Sequence, residues 1–212
     1  MSKPFWAVIA IIIVLFGGIL LLNNHKASAP SSHGAVATNH VEGSTKTGVT
    51  LVEYGDYECP YCGVFYPVAK QVAAKYSDKI TFQFRNLPLL QVHKNALAAA
   101  RAAEAASLQS KFWQMHDLLY QNQDSWSQSS NAQDIFNQYA TTLKLNLTKF
   151  KADYASSSVN DAINADISAF LKTGNQESTP TFFLDGKKIQ PVNTVDSFSK
   201  LIDAEIAQKA KA

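Results

Sequence analysis

Residues 54–65 read YGDYECPYCGVF and hold the only two cysteines of the chain, Cys59 and Cys62. A bridge between them closes so short a loop that it restricts the unfolded chain very little, which makes a structural staple a poor reading. A metal clip would need more than two thiolates, leaving a reactive pair as the third reading. The flanking sequence decides where such a pair sits. VTLVEYGDY, 49–57, is short, β-branched and mostly apolar, and predicts a buried strand. From Cys59 to Tyr76 the apolar residues Phe65, Val68, Val72 and Tyr76 recur at helical spacing, with Pro67 expected to kink the helix. KITFQFRNLPL, 79–89, alternates Ile80, Phe82 and Phe84 against polar neighbours and predicts a second strand. A strand–helix–strand unit of this size implies parallel pairing with a right-handed crossover.

Beyond this unit, residues 93–173 read as about five helices with short connections, beginning with the alanine-rich KNALAAARAAEAASLQ. PTFFLDGKKIQ, 180–190, places apolar runs on either side of Asp185-Gly186, a strong hairpin signal. Residues 195–209 fit an amphipathic closing helix. With the helical block set aside, βαβ followed by ββα remains: an α/β fold with one mixed sheet and helices on both faces.

The strand-to-helix junction gives the cysteines their chemistry. Free backbone N–H groups and the helix dipole favour a thiolate at Cys59 and lower its pKa. Pro60 suits the first helical turn, where no N–H is needed. Cys62, one turn further in, is expected to be shielded and close enough to attack a mixed disulfide on an exposed Cys59, so that Cys59 is the nucleophile and Cys62 the resolving thiol. Glu53 lies in an apolar strand, where burial raises a carboxyl pKa and suits it to accept a proton from Cys62. Glu58 reads as a solvated acid. His93 reads as a capping or packing residue, His116 as a helix-surface residue, and Phe112, Trp113 and Met115 as core.

Residues Phe5–Leu22 carry no charge and, as a helix, measure roughly 27 Å, enough to cross a bilayer. An uncleaved N-terminal transmembrane anchor is expected over 1–22, with the chain beyond Leu22 outside the cytoplasm, where disulfides form. Residues 23–48 are rich in Ser, Ala, Asn, Thr and Gly and read as a flexible linker, with His25, His33 and His40 as solvated residues of it. The domain proper is expected over 49–212. A formal net charge of +2 gives no nucleic-acid footprint.

LVEYGDYECPYC, NLPLLQVHKNALAAARAAEAA, KFWQMHDLLYQNQ and STPTFFLDGKKI occur in an order that resembles the DsbA-like thiol–disulfide oxidoreductases of the membrane-tethered bacterial type. The resemblance spans about residues 47–210. It implies a thioredoxin fold with an inserted helical subdomain, and it matches Cys59 and Cys62 to the redox pair, Glu53 to the acid beneath it, Pro180 to a cis-proline and Thr179 to the residue that touches substrate. Pro60 and Tyr61 join the substrate-binding set. The implied protein is a monomeric dithiol oxidase without cofactor or metal. It acts on reduced or unfolded secreted proteins and is reoxidised by an integral-membrane quinone reductase. The Pro-Tyr dipeptide departs from the Pro-His of the best-known oxidases and keeps a reductase or isomerase open as the alternative. A copper or zinc carrier is the distant one.

Overall fold

The computed structural model describes residues 36–211; the anchor expected over 1–22 and the first part of the expected linker lie outside them. Five strands form one sheet: β1 (His40–Gly43), β2 (Thr50–Gly55), β3 (Thr81–Asn86), β4 (Thr181–Leu184) and β5 (Lys187–Ile189), in the order β1-β3-β2-β4-β5. β2 and β3 are parallel, as a helical crossover requires, and the other neighbours are antiparallel. Helix α1 (Pro60–Lys75) makes the crossover and runs through Pro67 as one element. The chain turns from β4 into β5 at Asp185 and Gly186, both at positive φ (47° and 78°), which the Asp-Gly pair tolerates.

The inserted helices are α2 (Ala96–Ser107), α3 (Phe112–Gln121), α4 (Gln123–Trp126), α5 (Ala132–Thr142), α6 (Leu147–Tyr154) and α7 (Ser157–Leu171), followed after the hairpin by α8 (Val195–Lys209). The insertion thus has one short helix, α4, beyond the five expected. The alanines of α2 are buried on several sides of the helix (Ala99, Ala100, Ala102, Ala103 and Ala106), so neighbouring helices approach it closely. Two cores sandwich the sheet. Leu51, Phe82 and Phe182 pack with Val72 of α1 and Phe198 and Ile202 of α8. On the other face Tyr54 and Phe183 pack with Phe170 of α7. A third core joins the helical insertion to the start of α1 and contains both cysteines, together with Tyr57, Tyr66, Phe84 and Met115.

The expected linker over 23–48 is overturned at its C-terminal end, because β1 is part of the sheet. Thr38 donates through its backbone N–H and its hydroxyl to the two oxygens of Asp166, each at 2.7 Å, and Gln83 Nε2 donates to the Thr38 carbonyl. His40 is no solvated linker residue: its ring stacks on Phe112 with centroids 3.5 Å apart, and its Nε2 lies 2.8 Å from Glu104. A four-residue edge strand held, with the segment before it, by side chains 64 to 128 positions away has no local signature in composition or periodicity.

Candidate active site

Cys59 ends the extended segment (φ −65°, ψ 120°) and Pro60 opens α1, so the first free N–H groups of the helix surround the Cys59 sulfur. The loop before it is fastened from several directions. Asp56 accepts from the Glu58 N–H at 2.7 Å and the Leu89 N–H at 2.8 Å, its second oxygen lies 2.7 Å from His93 Nδ1, and its carbonyl accepts from the Cys59 N–H. Gln123 Nε2, from the helical insertion, donates to the carbonyls of Tyr57 and Cys59 at 2.6 and 3.0 Å. Gly63 stands where a Cβ would lie 2.7 Å from Gln123 Oε1, so this clamp requires glycine. Sequence reasoning singled out neither Asp56 nor Gln123, since a polar residue in a loop carries no periodicity and its partners are remote.

The two sulfurs share the site and differ in surroundings. Both are free thiols. The Cys62 thiol, the Thr179 side chain and the backbone N–H groups of Cys62 and Tyr61 face the Cys59 sulfur as donors for its thiolate; while Cys59 is a thiol the Thr179 hydroxyl is buried without a hydrogen-bond partner. These donors, the Cys62 thiol first, outweigh burial and hold its pKa down to about 6. As a thiol, Cys59 itself points at the Thr179 carbonyl, 3.4 Å away. The Thr179–Pro180 peptide is cis. Cys62 is fully enclosed, and burial pushes its pKa well above the ordinary thiol value, with the charges of Cys59 and Glu53 acting in the same direction. Cys59 is also less open than expected, at 5% exposure: the helix start and the Thr179-Pro180 loop close over it, so a partner sulfur has to enter a groove.

That groove is lined by Tyr61, Phe65, Thr179, Pro180, Lys188 and Pro191. Tyr61 stands exposed at its rim, and Pro60 is exposed beside it. Glu53 lies on the other side of the cysteines. β2 places it between Phe84 of β3 and Phe182 of β4, where it is 2% exposed and burial raises its pKa to about 8. The structure therefore brings Glu53, Cys59, Cys62, Thr179 and Pro180 together from three separate segments.

Two sequence expectations are corrected. Glu58 is not a solvated acid: it is buried, accepts from the Asn95 N–H at 2.5 Å, and burial raises its pKa. His116 is not on a helix surface: it is 5% exposed inside an aromatic box that includes Tyr57, Tyr66, Phe84 and Trp113. His93 packs onto Asp56 as a loop fastener. Among the described residues, no group of three or more His, Cys, Asp or Glu side chains is arranged to hold a metal ion.

Residues 35–204 match the thioredoxin family. The chain belongs to that family. Among solved structures, oxidised BdbD of Bacillus subtilis superposes with a TM-score of 0.69 at 25% identity, over 82% of this chain and 98% of its own. Alpha-DsbA1 of Wolbachia pipientis does so with a TM-score of 0.71 at 20% identity, over 82% and 93%, which speaks for the fold. Within the thioredoxin family the chain thus has the fold of these DsbA-type proteins, as the four motifs implied. A curated relative, Na(+)/H(+) antiporter NhaA 3 of Salinispora tropica, is 36% identical over 169 residues, 80% of this chain. The chain spans only 25% of that relative's length, and the antiporter name describes that whole protein. No helix among the described residues is long and apolar enough to cross a membrane.

Proposed function

We propose that the protein is a dithiol oxidase that gives its Cys59–Cys62 disulfide to reduced proteins outside the cytoplasm. The observation that carries this reading is the opposite tuning of the two sulfurs. A client thiolate attacks Cys59 Sγ of the disulfide, the S–S bond breaks, and Cys62 leaves with the electron pair. Because its thiolate is disfavoured, Cys62 takes a proton, which a protonated Glu53 supplies. A second client thiolate then attacks the client sulfur of the mixed disulfide. Cys59 leaves as a stable thiolate, and the client departs oxidised.

A thiolate held at about 6 rather than 9 stabilises the reduced enzyme. At neutral pH this amounts to about 1.4 kcal/mol over a thiol that stays protonated, or roughly 30 mV toward a stronger oxidant. Tyr61 offers no cationic side chain; the donors of Cys62, Thr179 and the helix start take the part that a histidine in the dipeptide would play.

Exposed apolar side chains surround the entrance. Tyr61 and Val64 lie on α1, Val192 follows the hairpin, and Leu90 and Val92 lie in the loop that Asp56 fastens. Such a rim suits extended, unfolded clients. The apolar run 5–22 supports an uncleaved single-pass anchor with the catalytic domain at the cell surface or in the periplasm, acting as a monomer and reoxidised by an integral-membrane quinone reductase.

The deciding experiment is the equilibrium of the full chain with glutathione. A reduction potential well above thioredoxin's, which is about −270 mV, supports the oxidase. A value at or below it would overturn that direction in favour of a reductase.

A further inference from the structure

Behind Cys62, on the side away from the client groove, lies a second feature that the oxidase cycle described above leaves unused. An internal cavity is walled by Glu53 of β2, Tyr66 of α1, and His116 and Tyr120 of α3, with Lys70 and Asp117 at its outer end. It shares no lining residue with the groove, which runs toward the β5 edge of the sheet, whereas the cavity runs toward the β1 edge. Its outer wall includes Glu42 of β1, and Glu42 and Lys70 also line an open surface groove against Ala73, Ala74 and Ser77. The cavity therefore abuts solvent through the pair Glu42 and Lys70.

The polar atoms around it are not saturated. His116 Nε2 and the Tyr120 hydroxyl are buried without a hydrogen-bond partner among the described residues, and so is the nearby Tyr57 hydroxyl. Buried polar groups left over in this way mark sites for bridging water. The other nitrogen of His116 faces outward: Nδ1 lies 3.4 Å from Asp117 Oδ1. Asp117 in turn accepts from the Tyr66 hydroxyl at 3.0 Å and is ion-paired with Lys70, which is half exposed. Tyr66 also accepts from Gln121 Nε2. His116 is thus the side chain that spans the distance between the cavity and the surface ion pair. The charged or titratable groups facing it are Asp117 and Tyr120 on its own helix, Lys70 and Tyr66 from α1, Glu53 from β2, and Glu42 and His40 from β1, with Tyr57 from the loop before α1.

We propose that His116 relays protons between Glu53 and the solvent at the Asp117–Lys70 pair, through water held in this cavity. The proposal rests on the role given to Glu53 above. The balance is simple. Cys62 leaves the disulfide as a thiolate and takes the Glu53 proton. Glu53 is left ionised and takes a proton delivered from His116 Nε2 across the cavity. For this the ring first takes a proton at Nδ1 from solvent water beside Asp117, whose carboxylate faces it while it is briefly cationic, and then releases the Nε2 proton, leaving the Nδ1–H tautomer that the reverse half of the cycle uses. In the opposite direction, when Cys62 attacks a mixed disulfide, each transfer runs in reverse. This back door is needed because a client seated in the groove covers the front of the site. His116 touches none of the reacting sulfurs and acts through Glu53.

The test uses the full chain and one step, the attack of Cys62 on a Cys59–glutathione mixed disulfide, followed in a single turnover across pH and in heavy water. His116→Phe keeps the aromatic packing and removes both nitrogens. Its expected effect is a slowing of roughly tenfold near neutral pH, smaller than the ~10²-fold or more that loss of a proton acceptor costs, together with an enlarged solvent isotope effect. Asp117→Asn, at the partly exposed end, is expected to change the same readouts without touching the core, which keeps the test decisive if the buried variant folds poorly. Partial rescue of His116→Ala by added imidazole supports the relay. Unchanged rate and isotope effect in both His116→Phe and Asp117→Asn overturn it, whether or not Glu53→Gln slows the step. The reduction potential is expected to stay within error in His116→Phe, so failure of the relay and failure of the oxidase reading are told apart.

Discussion

Two thiols of the same type, three positions apart at the start of one helix, lie in opposite surroundings. Around Cys59 the groups that converge are donors: a thiol, a hydroxyl and two backbone N–H groups. Around Cys62 the wall is apolar or acidic, and one weak donor reaches its sulfur, the Asp56 N–H at 3.5 Å. The first thiol is lowered to about 6 and the second is raised. A helix terminus alone does not produce this contrast, since both residues stand at the start of α1, Cys59 just before it and Cys62 in its first turn. It comes from what the rest of the chain brings to each side: the Thr179-Pro180 segment in front, and Glu53 with the aromatic insertion behind.

The contrast is broken most completely by removing one sulfur at a time. Cys59→Ser is expected to reduce dithiol oxidation of a model peptide by more than about 10³-fold, because no other group can receive the client sulfur. Cys62→Ala is expected to do something different: it forms mixed disulfides at Cys59 that persist, visible as client adducts on non-reducing gels. Equal loss of adducts in both variants would contradict the division of roles.

Behind the pair, Glu53→Gln is expected to stabilise the protein while slowing the proton step. The folded state keeps a proton that the unfolded state releases, since the pKa rises from 4.5 to about 8. The cost of the native carboxyl therefore begins above pH 4.5, grows through neutrality and is complete above pH 8. At pH 7 the gain on substitution is about 3 kcal/mol by linkage and vanishes near pH 4. Denaturant midpoints of the two reduced proteins across that range measure it; a gain independent of pH would place its origin elsewhere.

The front of the site was largely legible in the sequence, and the back was not. Cys59, Pro60 and Cys62 lie in one stretch, and the elements flanking them announce a strand end and a helix start, so position alone dictates the chemistry. Glu53 was legible because a carboxylate stands out in an apolar strand. Pro180 and Thr179 needed the family resemblance, since spacing gives no sign that residue 180 returns to residue 59. His116 and Glu58 were misread because each lies in a segment whose pattern permits exposure, and burial came from remote partners, the aromatic box for one and the Asn95 N–H for the other. β1 was missed for the same reason: its order depends on Asp166 and Glu104, in helices far along the chain. Local periodicity reports which face of an element is apolar, and it is silent about which polar residues the fold then encloses.

The smallest change sharpens the front half of the comparison. Thr179→Val keeps the shape and the backbone carbonyl at 3.4 Å from Cys59 and removes only the hydroxyl. A hydrogen bond to a charged group contributes about 1.5–3 kcal/mol, and one pKa unit corresponds to about 1.4 kcal/mol, so the Cys59 pKa is expected to rise by about one unit, from about 6 to about 7. The sign follows from linkage. A lowered thiol pKa stabilises the folded, reduced protein fully above the ordinary thiol value and loses that effect as pH falls through about 6. Thr179→Val moves the point of loss upward, and at neutral pH the reduced form is less favoured. The variant is then a weaker oxidant by a fraction of the roughly 30 mV attributed to the thiolate. The rate of alkylation of Cys59 against pH in the Cys62→Ala background isolates the difference of about one unit, from a higher starting value because the Cys62 thiol, the largest lowering cause, no longer donates there. If the two alkylation profiles coincide, the Thr179 hydroxyl is a bystander and the cysteine's own helix start sets its acidity.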